Sequence, residues 1–138
     1  MIHDKAFVEL TTRELYDILR LRSEVFVVEQ ECAYLDADGR DTEPGTRHLW
    51  IGTPVDAYLR VLDDGETRRI GRVVTRPAAR SAGLAARLVD HVLAHTAPPW
   101  TLDAQSHLAG WYARFGFEVS GPEFREDGIP HTPMHRHR

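Results

Sequence analysis

The sequence predicts one α/β domain with a mixed sheet, on the basis of three observations. A chain of 138 residues, 42% of them hydrophobic, can bury one core, and no internal repeat divides it. Three strand-like segments separated by turn residues predict an antiparallel meander between residues 48 and 75. Strand-like and helix-like segments then alternate from Val73 to Val119, which is typical of a partly parallel sheet.

The N-terminal third predicts one strand, a helical region and a loop. Residues 7–10 form a short strand candidate. Thr11 and Glu14 can satisfy each other's backbone amides at a helix start. Apolar residues continue at helical spacing to residues 25–28, so we expect one helix or two. From residue 34 to 47 the chain is rich in Asp, Gly, Pro and Thr, which predicts a long loop.

The segments after this loop predict the body of the sheet. Strands are expected at residues 48–51, 57–62, 69–75, 100–104 and 117–119. An alanine-rich helix should open at Ser81 or Ala82 and stop before a pair of prolines, and a second helix should span 107–115. A terminal strand should carry the exposed histidines. We therefore expect about six to seven strands and about four helices in one α/β (α+β) domain covering residues 1–138.

Composition argues against several classes of function. A formal net charge of −4, with arginines interspersed along the chain, offers no basic surface for a nucleic acid. No apolar run approaches the ~18 residues of a membrane-spanning helix. The N-terminus lacks a secretory signal pattern, and Cys32 is the one cysteine. We expect a cytoplasmic monomer or homodimer that acts on a small-molecule or peptide substrate, without nucleic acid or membrane partners.

Two clusters resemble metal sites but lack complete ligand sets. Asp36 and Asp38 precede Gly39 as in a calcium loop, yet this glycine comes two positions too early and the bidentate glutamate is misplaced. His131 and His135 have a spacing compatible with zinc, but no cysteine pair or second cluster completes a tetrahedral site. We expect no metal cofactor.

The segment from Arg80 to Ala85 joins a predicted strand to a predicted helix. Backbone amides point outward at such a helix start, and the helix dipole favours an anion there. Gly83 and the small residues around it let a ligand approach the main chain closely. The spacing and lysine of a P-loop are absent, as is a dinucleotide fingerprint. The pattern indicates either a metal-free pyrophosphate site or an ordinary helix start.

Five motifs in the second half of the chain help to decide between a pyrophosphate site and an ordinary helix start. They are Arg72-Val73-Val74-Thr75-Arg76-Pro77, Arg80-x-x-Gly83-x-Ala85, Gln105, Tyr112 and Gly116-Phe117. Their order closely resembles the GNAT acetyltransferase superfamily. The resemblance implies an acyl-CoA cofactor, held at three kinds of position: the strand backbone of Val73, Val74 and Thr75; the loop of Arg80, Ser81, Ala82, Gly83, Leu84 and Ala85; and the side chains of Gln105 and Tyr112.

The resemblance also implies a catalytic acid but leaves the base open. Tyr112 stands four residues before Gly116, as a tyrosine commonly does in that superfamily, and inherits the role of general acid; the alternative is a tyrosine that only packs. A phenol with a reference pKa of ~10 can protonate a leaving thiolate. Many members carry a glutamate on the strand before the loop, where this chain has arginines. Candidate bases are Glu29, Asp41, His48, Glu126 and His131, with Glu29 and His131 kept as catalytic candidates beside Tyr112.

Three further segments indicate one branch of this superfamily. They run from Leu21 to Asp41, from Thr46 to Leu49 and from Glu126 to Met134, and together they resemble the ElaA-type branch. The branch implies a GNAT fold whose sheet is splayed at the cofactor site, and direct transfer of acetyl from acetyl-CoA to an amine of unidentified structure. Two alternatives stay open: a non-catalytic acyl-CoA-binding module, and an enzyme similar to acyl-homoserine-lactone synthases.

Overall fold

The computed structural model describes residues 1–138, whose strands form one eight-stranded mixed sheet. The strand order is β1-β2-β3-β4-β5-β8-β6, and β7 pairs with β8. The strands are β1 (Ile2–Ala6), β2 (Arg47–Ile51), β3 (Ala57–Asp63), β4 (Arg68–Thr75), β5 (Trp100–Gln105), β6 (Glu118–Val119), β7 (Phe124–Glu126) and β8 (Ile129–Arg136). Three helices flank them: α1 (Thr12–Arg22), α2 (Leu84–His95) and α3 (Ala109–Ala113). The predicted mixed sheet with flanking helices is confirmed; the additional strand is the three-residue β7, which the sequence did not indicate.

Helix α1 begins where the sequence predicts. The Thr11 hydroxyl accepts a hydrogen bond from the Glu14 amide at 3.1 Å, and the Glu14 carboxylate accepts one from the Thr11 amide at 2.9 Å. After its last residue the chain continues as a π-helical segment, Ser23–Glu29, instead of a separate second α-helix. Such a segment is uncommon and frequently stands at a functional site.

The strand expected at residues 7–10 is wrong. The N-terminal strand is β1, which pairs antiparallel with β2. Phe7–Glu9 instead forms a 3-10 turn, because the Glu9 carboxylate accepts a hydrogen bond from the Ala6 amide at 2.8 Å. Val8 is 90% exposed, so this apolar residue does not belong to a buried strand face.

The sheet opens between its two central strands. Strands β1 to β4 form the predicted antiparallel meander. Strands β4 and β5 are parallel, but only Arg68 pairs with Trp100 and Arg69 with Thr101. Beyond those two pairs β4 stays bonded to β3 and β5 to β8, while the facing edges separate. The predicted splay is therefore present at the carboxyl ends of β4 and β5.

A β-bulge lies in β4 beside this opening. Tyr58 pairs with Val74 and Arg60 with Gly71, so that one residue of β3 faces two of β4, Arg72 and Val73. Arg72 has a φ of 53°, which is uncommon outside glycine and leaves this residue out of the regular ladder. The bulge bends β4 at the point where the two central strands separate.

Apolar side chains form one cluster on each face of the sheet. The larger cluster joins the sheet to α2 and α3 through residues such as Leu59, Leu88 and Phe117. The smaller cluster packs α1 against the other face through residues such as Ile18, Trp50 and Tyr58. Helices α1 and α2 therefore lie on opposite faces of the sheet.

Three elements differ in their boundaries from those predicted. Helix α2 begins at Leu84 instead of residue 81 or 82, because Ser81 and Gly83 have left-handed φ values of 71° and 73°. The helix expected over 107–115 is divided into a 3-10 turn, Ser106–Leu108, and the short α3. The predicted strand at 117–119 shortens to the two residues of β6.

Candidate active site

A cavity of about 1160 Å³ occupies the opening between β4 and β5. One end is formed by the carboxyl end of β4, the 79–86 loop and α3. The other end is formed by the amino-terminal part of β4, β5 and residues of the 32–40 loop. We call these the coenzyme end and the acceptor end, after the ligands that the resemblance to the GNAT superfamily leads us to expect there. The residues predicted to bind the cofactor all line this cavity except Ala82, and so do the catalytic candidates Glu29, Tyr112 and His131.

The coenzyme end carries six consecutive backbone amides, those of residues 81–86, that have no hydrogen-bond acceptor in the chain. The amides on either side are satisfied, because Arg80 donates to the Pro77 carbonyl and Arg87 to the Gly83 carbonyl. The left-handed conformations of Ser81 and Gly83 turn the chain into α2. A Cβ added at Gly83 would meet no atom within 4 Å, so the space beside this residue is open. Free amides at the positive end of a helix dipole form an anion site.

The Arg80 guanidinium, predicted to face a pyrophosphate, is paired with Glu29. Its two terminal nitrogens donate to the two Glu29 carboxylate oxygens at 2.8 Å each, and its Nε donates to the Thr75 carbonyl at 3.2 Å. Both side chains are 42% exposed. The hydrogen bond and charge of Arg80 lower the pKa of Glu29. The pair therefore joins the end of the π-helical segment to the 79–86 loop.

Two more contacts tie the chain after the π-helical segment to the rim of the cavity. The Gln105 amide nitrogen donates to the Gln30 side-chain oxygen at 3.2 Å, at the end of β5. The Cys32 thiol donates to the Asp127 carbonyl at 3.3 Å, in the turn between β7 and β8. Residues 29–32 thus contact three different parts of the rim.

Tyr112 projects from α3 into the cavity wall and is 6% exposed. Its ring packs edge-on against Trp111, with ring centroids 4.9 Å apart, and against Phe117 at 6.3 Å. Burial raises the pKa of the Tyr112 phenol, with no charged group or hydrogen bond contributing. The phenol is therefore a neutral proton donor over the whole physiological pH range.

The five candidate bases separate into two groups. Glu29, Glu126 and His131 line the cavity, whereas Asp41 and His48 do not. His48 is buried, bonded at Nδ1 to the Tyr58 hydroxyl at 2.6 Å and at Nε2 to the Asp41 carbonyl at 2.9 Å, and burial lowers its pKa. These contacts give His48 a structural role.

His131 faces the cavity from β8, opposite Gln105 in the β5–β8 ladder. Its Nδ1 lies 2.8 Å from the Ile129 carbonyl, so Nδ1 carries a hydrogen and donates it. In a neutral imidazole this assignment leaves Nε2 as the proton acceptor. The ring stacks on Phe124 with centroids 5.8 Å apart, which holds its orientation.

A buried charge cluster supports the acceptor end from behind. Arg22 is fully buried in α1 and donates to the Asp36 carboxylate at 2.8 Å and to the Asp41 carboxylate at 2.7 Å. Burial raises the pKa of Asp41, but the Arg22 and Arg60 guanidinium groups outweigh it and lower the pKa overall. The loop after residue 32 is held to α1 by these bonds.

A second layer of the cluster faces the cavity. Arg60 donates to both carboxylate oxygens of Asp38, at 2.9 and 2.6 Å, and hydrogen bonding to Arg60 holds the pKa of Asp38 well below its usual range. Arg72, at the β-bulge, donates to the Asp36 carbonyl at 3.1 Å. Arg69 donates to Asp103 at 3.0 Å across the start of the opening. The charges of the acceptor end are therefore mutually paired.

Several residues that line the cavity were not singled out from the sequence. They are Tyr34, Leu35, Arg60, Asp103, His107, Leu108, Trp111 and Arg114. The last four follow Gln105 at the spacing of a helix face, which was the available signal. The others come from the 34–47 loop and from β3 and β5, and only the fold brings them together.

Two observations concern metals and membranes. No group of three or more His, Cys, Asp or Glu side chains is placed to hold a metal ion. No helix has the length and apolar character required to cross a lipid bilayer.

Comparison with known proteins gives the family. A family model described as an acetyltransferase (GNAT) domain matches residues 45–137. This chain belongs to the GNAT acetyltransferase family. It is 46% identical over 136 residues to the UPF0039 protein Rv2851c of Mycobacterium tuberculosis, covering 93% of this chain and 87% of that protein. It is 40% identical over 138 residues to the Escherichia coli protein ElaA, covering 93% of this chain and 90% of ElaA.

Solved structures agree with this family and with its branch. The crystal structure of an acyl-CoA N-acyltransferase from Pseudomonas aeruginosa has a TM-score of 0.91 and 40% sequence identity, covering 99% of each chain. The crystal structure of Escherichia coli ElaA has a TM-score of 0.89 and 38% identity, covering 99% of this chain and 98% of that one. The predicted membership of the ElaA-type branch is confirmed.

Proposed function

We propose that the chain is an acyl-CoA-dependent N-acyltransferase that transfers acetyl from acetyl-CoA to the amine of a small-molecule or peptide acceptor. The observation that carries the proposal is the row of six unpartnered amides, residues 81–86, at the end of an opening between two strand edges. A strand edge can bond a chain of amides such as pantetheine, and the amide row can bond a pyrophosphate. Membership of the GNAT family supports this assignment of the two surfaces.

The residues that would hold the coenzyme are those of the coenzyme end. Backbone groups of Val73, Val74 and Thr75 would bond the pantetheine, and the amides of residues 81–86 the pyrophosphate, with Arg80 and Gln105 at the sides. Acetyl-CoA supplies a thioester, whose carbonyl carbon accepts an amine nucleophile and whose sulfur leaves as a thiolate. No metal ligand is required for this chemistry.

Tyr112 is proposed as the general acid. In direct transfer the amine nitrogen forms a bond to the carbonyl carbon and the carbon–sulfur bond breaks. The thiolate then takes the Tyr112 hydroxyl proton, the attacking nitrogen loses its remaining extra proton as the amide forms, and the Tyr112 phenolate regains a proton. The raised pKa of this phenol keeps the proton available before transfer, and the packed ring holds the hydroxyl in one place.

His131 is proposed as the general base in preference to Glu29. The acceptor reaches the site as an ammonium and must lose a proton before it attacks. Nε2 of His131 is free to accept that proton because Nδ1 donates to the Ile129 carbonyl. Both oxygens of Glu29 accept hydrogen bonds from Arg80, and its lowered pKa makes it a weak base.

We further propose that residues 1–138 act as one domain and that the protein works in the cytoplasm. The single sheet includes strands from both ends of the chain, which supports the domain assignment.

The proposal is tested by incubating the protein with acetyl-CoA and a panel of amines and following the release of free thiol. Thiol release that depends on one class of amine, above the background of acetyl-CoA hydrolysis, is the expected result. Retained coenzyme binding without transfer to any amine would favour a binding module. Transfer from an acyl carrier protein but not from acyl-CoA would favour the acyl-homoserine-lactone-synthase-like alternative.

A further inference from the structure

Six arginines line the cavity, and they differ in whether they form an ion pair with a carboxylate. Five of them are each paired with at least one carboxylate: Arg40, Arg60, Arg69, Arg72 and Arg80. Arg114 is the exception, since it forms no ion pair within the chain. It is exposed and lies directly after α3, at the coenzyme end. An arginine without an anionic partner in the wall of a cavity is free to bind an anionic ligand.

Two other cavity residues belong to the same stretch of chain as Arg114. His107 lies in the 3-10 turn that precedes α3, Trp111 lies within α3 and Arg114 directly follows it, and all three line the cavity wall. The Trp111 ring is fixed edge-on between Tyr112 and Phe115, each with a centroid distance of 4.9 Å. This face of the cavity wall, formed by His107, Trp111 and Arg114, therefore presents a fixed aromatic group and a cation.

We propose that this face binds the adenosine 3′-phosphate part of the coenzyme, with Arg114 on the 3′-phosphate. This inference rests on the proposed function, because it takes acyl-CoA as the ligand. A phosphomonoester with a charge near −2 suits the two-pronged donor geometry of a guanidinium. Trp111 and His107 offer surfaces on which a purine can stack.

The free amides of residues 81–86 and the Arg114 side chain would bind different phosphates of the coenzyme. The amides of residues 81–86 have the geometry for the pyrophosphate but offer no net charge. Arg80 has a charge, but Glu29 neutralises it. Arg114 is thus the uncompensated positive charge among the arginines of the cavity wall. It makes the site selective for coenzyme A over its 3′-dephospho form.

Calorimetric titration with coenzyme A and with 3′-dephospho-coenzyme A tests this inference. For the unmodified protein we expect coenzyme A to bind at least about fivefold more tightly than the dephospho form at low ionic strength, since a charge-assisted contact is screened by salt. Arg114→Gln should lose most of that preference by weakening coenzyme A binding alone. Arg114→Lys, which keeps the charge, should retain part of it.

Arg13→Gln is the matched control. Arg13 is an exposed arginine of α1 outside the cavity, so its loss should leave the preference unchanged. Equal weakening of both ligands by Arg114→Gln, or no weakening of either, would overturn the inference while the proposed function stands. Failure of the unmodified protein to bind either ligand would overturn both.

Discussion

The two ends of the cavity satisfy their polar groups in opposite ways. At the coenzyme end six backbone amides have no partner in the chain, and the space before Gly83 is open. At the acceptor end the charged side chains are paired with one another, from the buried Arg22 to Arg72 at the β-bulge. The free amides of the coenzyme end can therefore bind an anion, whereas the paired charges of the acceptor end stabilise the fold. Substitutions at the two ends should accordingly affect different quantities: ligand affinity at one, and folding stability at the other.

The largest expected effect is on stability at the acceptor end. Arg22→Met would leave the carboxylates of Asp36 and Asp41 buried without their main partner. We expect the free energy of unfolding to fall by about 3–5 kcal/mol, as measured by urea titration, because an uncompensated buried charge is costly. Arg13→Met, an exposed position of the same helix, should change it by less than about 0.5 kcal/mol. A loss at Arg22 below about 1 kcal/mol would contradict the structural role of the cluster.

The next effect is on turnover. Tyr112→Phe keeps the ring packing but removes the proton donor, so we expect kcat to fall about 100-fold, within the usual range for a general acid. Coenzyme affinity should change by less than about twofold, because the hydroxyl is a small part of the binding surface. Turnover of the unmodified protein should not fall near pH 10 through loss of the phenol proton, since burial raises the Tyr112 pKa. Tyr16→Phe, on the exposed surface of α1, is the control, and unchanged turnover in Tyr112→Phe would remove the acid role.

Coenzyme affinity is the third quantity. Gly83→Glu would put a side chain and a negative charge before the free amides, and we expect coenzyme A to bind at least about tenfold more weakly by calorimetry. Gly65→Glu is a close control, because Gly65 also has a left-handed φ, 87° against 73°, and open space around its Cβ position. It lies in the β3–β4 turn and outside the cavity. Equal affinities in the two variants would refute the pyrophosphate assignment.

The smallest effect concerns the ion pair that joins the two sides of the coenzyme end. Glu29→Gln would leave the Arg80 guanidinium uncompensated, and we expect coenzyme A to bind about two- to fivefold more tightly at low ionic strength, less so at high salt. Glu9→Gln removes an exposed carboxylate far from the cavity and should have no such effect. Weaker binding in Glu29→Gln would mean that Glu29 holds Arg80 in its binding position.

Local signals predicted much of the coenzyme end and of the fold. The Thr11–Glu14 pair marks a helix start by itself, and turn residues between strands mark the meander, because both depend on neighbours a few residues away. The motif order then indicated the family, which is confirmed, and the binding loop, which stays a prediction. The start of α2 was misplaced because Ser81 adopts a left-handed conformation that its residue type rarely takes.

The acceptor end was harder to predict for a physical reason. Arg22 meets Asp36 and Asp41 across 14 and 19 residues of irregular chain, and Arg72 meets Asp36 across 36. These pairings depend on how the loop folds, and no periodicity encodes that. The lack of an ion-pair partner for Arg114 was equally hard to predict, because it depends on which carboxylates the neighbouring arginines bind in the folded chain.

The limited pairing of β4 with β5 also has a mechanical consequence. Two residue pairs at one end join strands that continue side by side without a ladder, so those pairs act as a hinge. The part of β4 that does not pair with β5, from residue 70 to 75, is about 20 Å long. A rotation of about 5° at the hinge would move its far end by about 2 Å. No ladder hydrogen bond within either half of the sheet would break. Such a rotation would change the width of the opening without a cost in backbone hydrogen bonding.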